Sequence, residues 1–172
     1  MALSPHNFPK SPVEEVVCSF SPGKTGKPVE IRFPSPYPGW QAIRVRIRDV
    51  ISSVAKDEIH SCCLTYTDAI PLFSGEHPED LLPVIPRVPG VYAGRLCSGP
   101  EISFSVESVI PDTILEVWCR REEEQVILIC TVSGETGVNS RDSLLQWFDR
   151  AREEIHLMFD ALVTGKVLDR FS

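Results

Sequence analysis

Leu144, Phe148, Ala151, Ile155, Met158, Phe159 and Leu162 recur at spacings of three and four along the last third of the chain. That is the repeat of one face of an α-helix, kept up over about five turns. A helix of this length with one apolar stripe is held in place by packing and not by propensity, so the rest of the chain has to supply a layer for it to cover. Asp149, Arg150, Arg152, Glu153, Glu154 and His156 fall on its solvated side. Asn139 or Ser140 supplies the N-cap, Gly165 closes the helix, and residues 166–172 are left as a short tail.

The covered layer is legible as strands. Residues 113–121 and 125–133 form a hairpin around a charged Arg-Glu-Glu-Glu tip, with Leu115, Val117 and Cys119 facing Cys130, Leu128 and Val132. This register makes Cys119 and Cys130 diagonal neighbours, about 7–8 Å apart and too far for an unstrained disulfide. The second strand, Val-Ile-Leu-Ile-Cys-Thr-Val, is apolar on both faces, which places it inside the sheet. From 58 to 70 the period is two, with Cys62, Leu64, Tyr66 and Ile70 on one face and Cys63, Thr65 and Thr67 on the other. Residues 12–20 and 28–33 read as a hairpin with a long loop, and 91–97 and 101–109 as two strands around Ser98-Gly99-Pro100.

Two shorter helices complete the set. Ile43, Val45 and Ile47 alternate with Arg44, Arg46 and Arg48 as a strand would, but Trp40, Ile43, Ile47, Val50, Ile51 and Val54 fit helical spacing over the whole window. Length decides for a helix at about 39–55, with the arginines on its solvated face. Before it, Phe33-Pro-Ser-Pro-Tyr-Pro-Gly39 excludes helix, because each proline lacks an N–H and biases its predecessor toward extended geometry. His77-Pro78-Glu79-Asp80 opens a short helix that Pro83, Pro86, Pro89 and Gly90 stop. The resulting order predicts an α+β fold, a mainly antiparallel sheet of about six or seven strands with two long helices on one face. A strongly curved sheet gripping the last helix is the alternative topology. Residues 1–11 form an arm, 12–165 a single domain and 166–172 the tail.

Composition narrows the function classes. The chain of 172 residues carries 17 Lys and Arg against 24 Asp and Glu, and a net charge of −7 argues against a phosphate-backbone binder. No apolar run approaches a membrane span, and the first ten residues lack the basic and apolar regions of a signal peptide, so a cytoplasmic protein is expected. In that setting the six cysteines read as reduced and mostly buried thiols: Cys18, Cys119 and Cys130 lie in apolar runs, and adjacent Cys62 and Cys63 point to opposite faces. No Cys-x-x-Cys pair occurs, so no metal and no cofactor is expected.

The chemical candidates are few. Gly23-Lys24-Thr25 resembles the end of a phosphate loop, but Cys18 stands where the first glycine belongs and Pro28 opens a strand in place of a helix. His60 and Cys62, two apart on one strand face, are the single candidate pair for nucleophilic catalysis. Glu14, Glu15 and Glu122 to Glu124 sit at edges and turns, without the buried setting that drives paired carboxylates apart. Tyr37 and Trp40, within the proline-rich segment, form a rigid aromatic stretch suited to recognition.

Ser11-Pro-Val-Glu-Glu-Val-Val17, Pro36-Tyr-Pro-Gly-Trp40, Leu64-Thr-Tyr66 through Ile70, and the closing segment with Phe159-x-x-Leu162-x-Thr164 occur in that order over most of the chain. Together they resemble a sporadically distributed prokaryotic family of uncharacterised proteins. Typical members carry additional strands before the Tyr-Pro-Gly-Trp segment, so this chain looks like a shortened member. Where the family continues Arg-Tyr-x-Asn after Leu64, this chain has Thr65 and Asp68. The resemblance implies the order of elements and supplies no catalytic residue.

The expectation for function is a binding or interaction module without catalytic chemistry, with Tyr37 and Trp40 as its binding residues and a protein partner or small apolar ligand as its target. The alternatives are a carrier or sensor of a small apolar molecule held between the sheet and the last helix, and an enzyme using His60 and Cys62.

Overall fold

The computed structural model describes residues 11–23, 27–54, 59–85, 91–92, 95–96, 101–122, 124–138 and 140–171. Strands β1 (Val13–Pro22) and β2 (Val29–Pro34) form the expected hairpin, and α1 (Trp40–Val54) follows the proline-rich strap. Next come β3 (Ile59–Pro71), the one-turn helix α2 (Pro78–Leu81), β4 (Val91–Tyr92) and β5 (Arg95–Leu96). Then β6 (Glu101–Glu107), β7 (Thr113–Glu122) and β8 (Gln125–Val138) lead into α3 (Arg141–Leu162) and α4 (Gly165–Arg170). Six strands make one antiparallel sheet in the order β2-β1-β3-β8-β7-β6. Helix α1 carries the chain from edge strand β2 across β1 to β3, so β1 is flanked on one side by its hairpin partner and on the other by a strand that arrives through a helix.

The period-two patterns decide which face is buried. Val16, Cys18 and Phe20 on β1, Cys62, Leu64, Tyr66 and Ile70 on β3, Val126, Leu128, Cys130 and Val132 on β8, and Leu115, Val117 and Cys119 on β7 are all buried. They share one core with Ile43, Ile47 and Ile51 of α1 and Leu144, Phe148, Ala151 and Ile155 of α3. At about 1.5–3 kcal/mol for each fully buried aliphatic or aromatic side chain, this layer is the main source of stability. The opposite face carries small and polar residues at its centre, including Ser19, Cys63, Thr65, Thr131 and Ser133, none of them buried. Thr65 and Thr131 face each other there with their hydroxyls 3.0 Å apart.

Strand β8 lies in the interior of the sheet between β3 and β7, as its two apolar faces require. Its register sets Leu115 opposite Val132, Val117 opposite Cys130 and Cys119 opposite Leu128, so Cys119 and Cys130 are diagonal neighbours and remain thiols. Cys18, Cys62 and Cys63 are likewise outside any disulfide, and Cys97 lies outside the described residues.

Several local expectations are corrected. The stretch 91–97 is not one strand: Val91 pairs with Leu96 and Tyr92 with Arg95, a minimal hairpin apart from the main sheet. Gly165 does not close the long helix; α3 ends at Leu162 and Gly165 opens α4. The segment read as a tail is therefore a docked helix, with Val167 buried, Arg170 donating to the Pro71 carbonyl at 2.8 Å and paired with Glu76, and its guanidinium 4.4 Å from the Phe73 ring centre. Phe159 and Leu162, expected to be buried like Phe148 and Ile155, are only half-buried, packed against the margin of the core. Ser140 provides the N-cap, its Oγ accepting from the Ser143 amide at 3.1 Å.

Candidate functional site

The strap between β2 and α1 is fastened at both ends. At one end the Ser35 amide donates to the Glu14 carbonyl at 2.6 Å, and the Ser35-Pro36 peptide is cis. At the other, Gly39 adopts φ +86°, a conformation that an L side chain rarely takes, and its carbonyl accepts the first helical hydrogen bond, from the Ile43 amide at 3.3 Å. The prolines along this stretch leave little freedom, so the strap lies back over the sheet and sets Tyr37 and Trp40 inward.

Trp40 is accordingly buried and Tyr37 half-buried against the core. The aromatic stretch is not free in solvent; it packs against the core beside β3 and α3. The Trp40 indole N–H donates to Asp149 Oδ1 at 2.8 Å, and Arg44 Nε reaches both Asp149 oxygens at 3.2 and 3.1 Å, which ties the start of α1 to α3. Tyr37 Oη stands 3.4 Å from Tyr66 Oη on β3. That is long for a hydroxyl pair, and the hydrogen bond is correspondingly weak. His156 of α3 sets its ring against Tyr66, with centroids 5.7 Å apart and an interplanar angle of 73°. One turn earlier on α3, the Arg152 guanidinium lies 5.6 Å from the Trp40 ring centre, a cation–π contact.

The electrostatics follow from this packing. Burial, then the Tyr37 hydroxyl, pushes the Tyr66 phenol above its usual value, so Tyr66 is a neutral donor or acceptor. Desolvation, then the Arg152 charge, lowers the His156 pKa, with Asp160 opposing. Asp68, two residues beyond Tyr66 on the same strand face, is 3% exposed, and burial pushes its carboxyl up to about 7. Arg152 Nε is shielded from water and has no hydrogen-bond partner. These groups converge on a sheet face that is otherwise apolar.

The second candidate pair meets a different geometry. Cys62 is buried on the helix-covered face. Between Ser61 and Ile59 the register slips in both ladders, and His60 has no cross-strand partner in either. The bulge shifts the period, so buried Ile59, and not His60, continues the side of the strand that Cys62 occupies. Lys24 and Thr25 of the glycine loop lie outside the described residues. Among the described residues no group of three or more His, Cys, Asp or Glu is placed to hold a metal ion.

Sequence reasoning does not single out Tyr66, Asp68, Arg152 and His156 as site residues. Period alone assigns Arg152 and His156 to the solvated side of α3, and Tyr66 to the core. That side is in fact divided: Asp149 and Arg152 face α1, and Glu154 accepts from the Ser108 hydroxyl at 2.5 Å and the Val109 amide at 3.1 Å on the β6–β7 connection. The one available signal is Arg152 and His156 at i, i+4 in a chain that also carries an aromatic strap. No family model, curated protein or solved structure matches the chain.

Proposed function

We propose that the protein is a binding module whose recognition site is the cleft between the strap, β3 and the flank of α3, with Tyr37, Tyr66 and His156 as its contact groups and Trp40 as its structural wall. The observation that carries this reading is the convergence of a long, 3.4 Å hydroxyl pair and the His156 ring on a sheet face that is apolar apart from Asp68 and Thr113. Buried or half-buried hydroxyls left without full hydrogen bonding cost free energy in the unliganded protein, and a ligand recovers that cost. A rigid strap with few rotatable bonds reduces the ordering entropy of binding.

The resemblance to the sporadically distributed prokaryotic family and a cytoplasmic location belong to the same proposal. Reduced thiols at the five described cysteines suit a reducing compartment, and no described helix is long and apolar enough to cross a membrane.

The test is a nuclear magnetic resonance screen of the full chain with small aromatic fragments. Shift changes concentrated at Tyr37, Tyr66 and His156 are expected. Changes confined to the open face around Thr65 and Thr131 would move the recognition surface to the other side of the sheet.

A further inference from the structure

Three arginines are half-buried among the described residues, Arg44, Arg152 and Arg170, and Arg152 alone of them lacks a counter-ion. Arg44 pairs with Asp149 and Arg170 with Glu76. Arg152 makes no ion pair among the described residues and holds its Nε away from both water and any acceptor. In a chain of net charge −7 a carboxylate for it would be easy to place. A partly desolvated guanidinium without a counter-ion is a cost that an incoming anion removes.

The surroundings keep the place positive. Asp149, the nearest acid before it on α3, is engaged by Trp40 and Arg44. Asp160 lies a turn beyond His156 on α3, and its charge reaches that imidazole. On β3, Asp68 is held largely protonated below pH 7 by burial. From the strap and the sheet the facing groups are the hydroxyls of Tyr37 and Tyr66.

We propose that this cleft takes an aromatic carboxylate, its anionic oxygens received by Arg152 and by the Tyr37 and Tyr66 hydroxyls, and its ring placed among Tyr37, Trp40 and His156. The inference rests on the reading of the cleft as the binding site and adds the chemical class of the ligand. A planar carboxylate matches the flat guanidinium fork. The walls are rings that favour offset or edge-to-face contact with another ring. A phosphate dianion would bring two charges to a single arginine and leave the ring walls unused.

The experiment follows the His156 ring resonances of the full chain during titration with benzoate, with its neutral isostere benzamide, and with inorganic phosphate. Benzoate is expected to bind at least tenfold more tightly than benzamide and to raise the His156 pKa, since an anion beside it favours the imidazolium. Arg152→Met should weaken benzoate at least tenfold, whereas Arg46→Met, on the exposed face of α1, should leave it unchanged. Equal binding of benzamide and benzoate at Tyr37 and Tyr66 would overturn the carboxylate and leave the cleft as a binding site. Phosphate competing as well as benzoate would overturn the aromatic class. Absence of any shift at Tyr37, Tyr66 and His156 with all three probes would overturn both readings, and the wild-type comparison stands even if the Arg152 variant does not fold.

Discussion

Asp68 is the residue whose chemistry depends most on its position. Its carboxyl lies on the helix-covered face, with Tyr66 two residues back on β3 and the Cys130 thiol, itself pushed up to about 12, diagonally across on β8. Burial raises its pKa from 3.8 to about 7, so the folded state holds the proton more tightly than the unfolded chain. Stability from this group is therefore complete below about pH 4 and is lost as pH rises toward 7. One pKa unit corresponds to about 1.4 kcal/mol, which puts the full loss at about 4 kcal/mol. Asp68→Asn should be the more stable protein at pH 8 and close to the wild type at pH 4, as read by urea unfolding at both values. His156 acts in the opposite sense, favouring the fold above about 6.5, and cancels in that difference because both proteins carry it. Gly134 on β8 is a second such position. A Cβ there would stand 2.5 Å from the Asp112 carbonyl oxygen and 2.9 Å from Thr113 Cα, backbone that cannot yield cheaply. Gly134→Ala should cost about 1–3 kcal/mol by overpacking, measurable as a lower denaturation midpoint.

Among the elements, α3 and α4 divide the work of closing the apolar face. Phe148 is fully buried and Phe159 half-buried, so Phe148→Ala should cost about 3–5 kcal/mol and Phe159→Ala roughly half as much. Equal losses in chemical denaturation would mean that the C-terminal half of α3 packs as tightly as the middle. Helix α4 is too short to hold itself and depends on its contacts. The Arg170–Glu76 pair, with side chains 10% and 20% exposed, is sheltered enough that removing one partner strands a charge. Arg170→Ala should raise amide exchange in α4 before any other helix, while Thr164, bonded to the Leu81 and Asp80 carbonyls, keeps the end of α3 in place. Loss of protection throughout the sheet would instead make α4 part of the global cooperative unit.

Across the whole molecule, four buried thiols occupy the four central strands: Cys18 on β1, Cys62 on β3, Cys130 on β8 and Cys119 on β7. Burial raises the pKa of Cys18 to about 12 and raises that of Cys119 as well, so buried thiols of this kind are inert while the sheet is closed. Cys63, half-buried on the open face, is the exception by exposure. In a Cys97→Ser background, one thiol should label rapidly with a colourless disulfide reagent, and the remaining four should label together at the rate of global opening. Stepwise labelling would show that the sheet opens strand by strand.

The strands, the two long helices and the choice of buried face are legible in the order of residues, because each rests on a period that a run of side chains either keeps or breaks. Val16, Cys18 and Phe20, or Phe148 and Ile155, announce their side of an element through neighbours two or three to four positions away. The cleft has no such signature. Tyr37, Tyr66, Arg152 and His156 come from a strap, a strand and a helix far apart in the chain, and each alone reads as a turn, core or surface residue. The bulge at His60 is equally hidden, since a one-residue slip leaves no trace in composition yet moves every side chain beyond it to the other face. Local periodicity determined the elements and their apolar sides; only tertiary packing, which lays the strap over β3 and turns one flank of α3 toward it, decided which polar groups meet, because that meeting depends on distances through space that the order of residues does not encode locally.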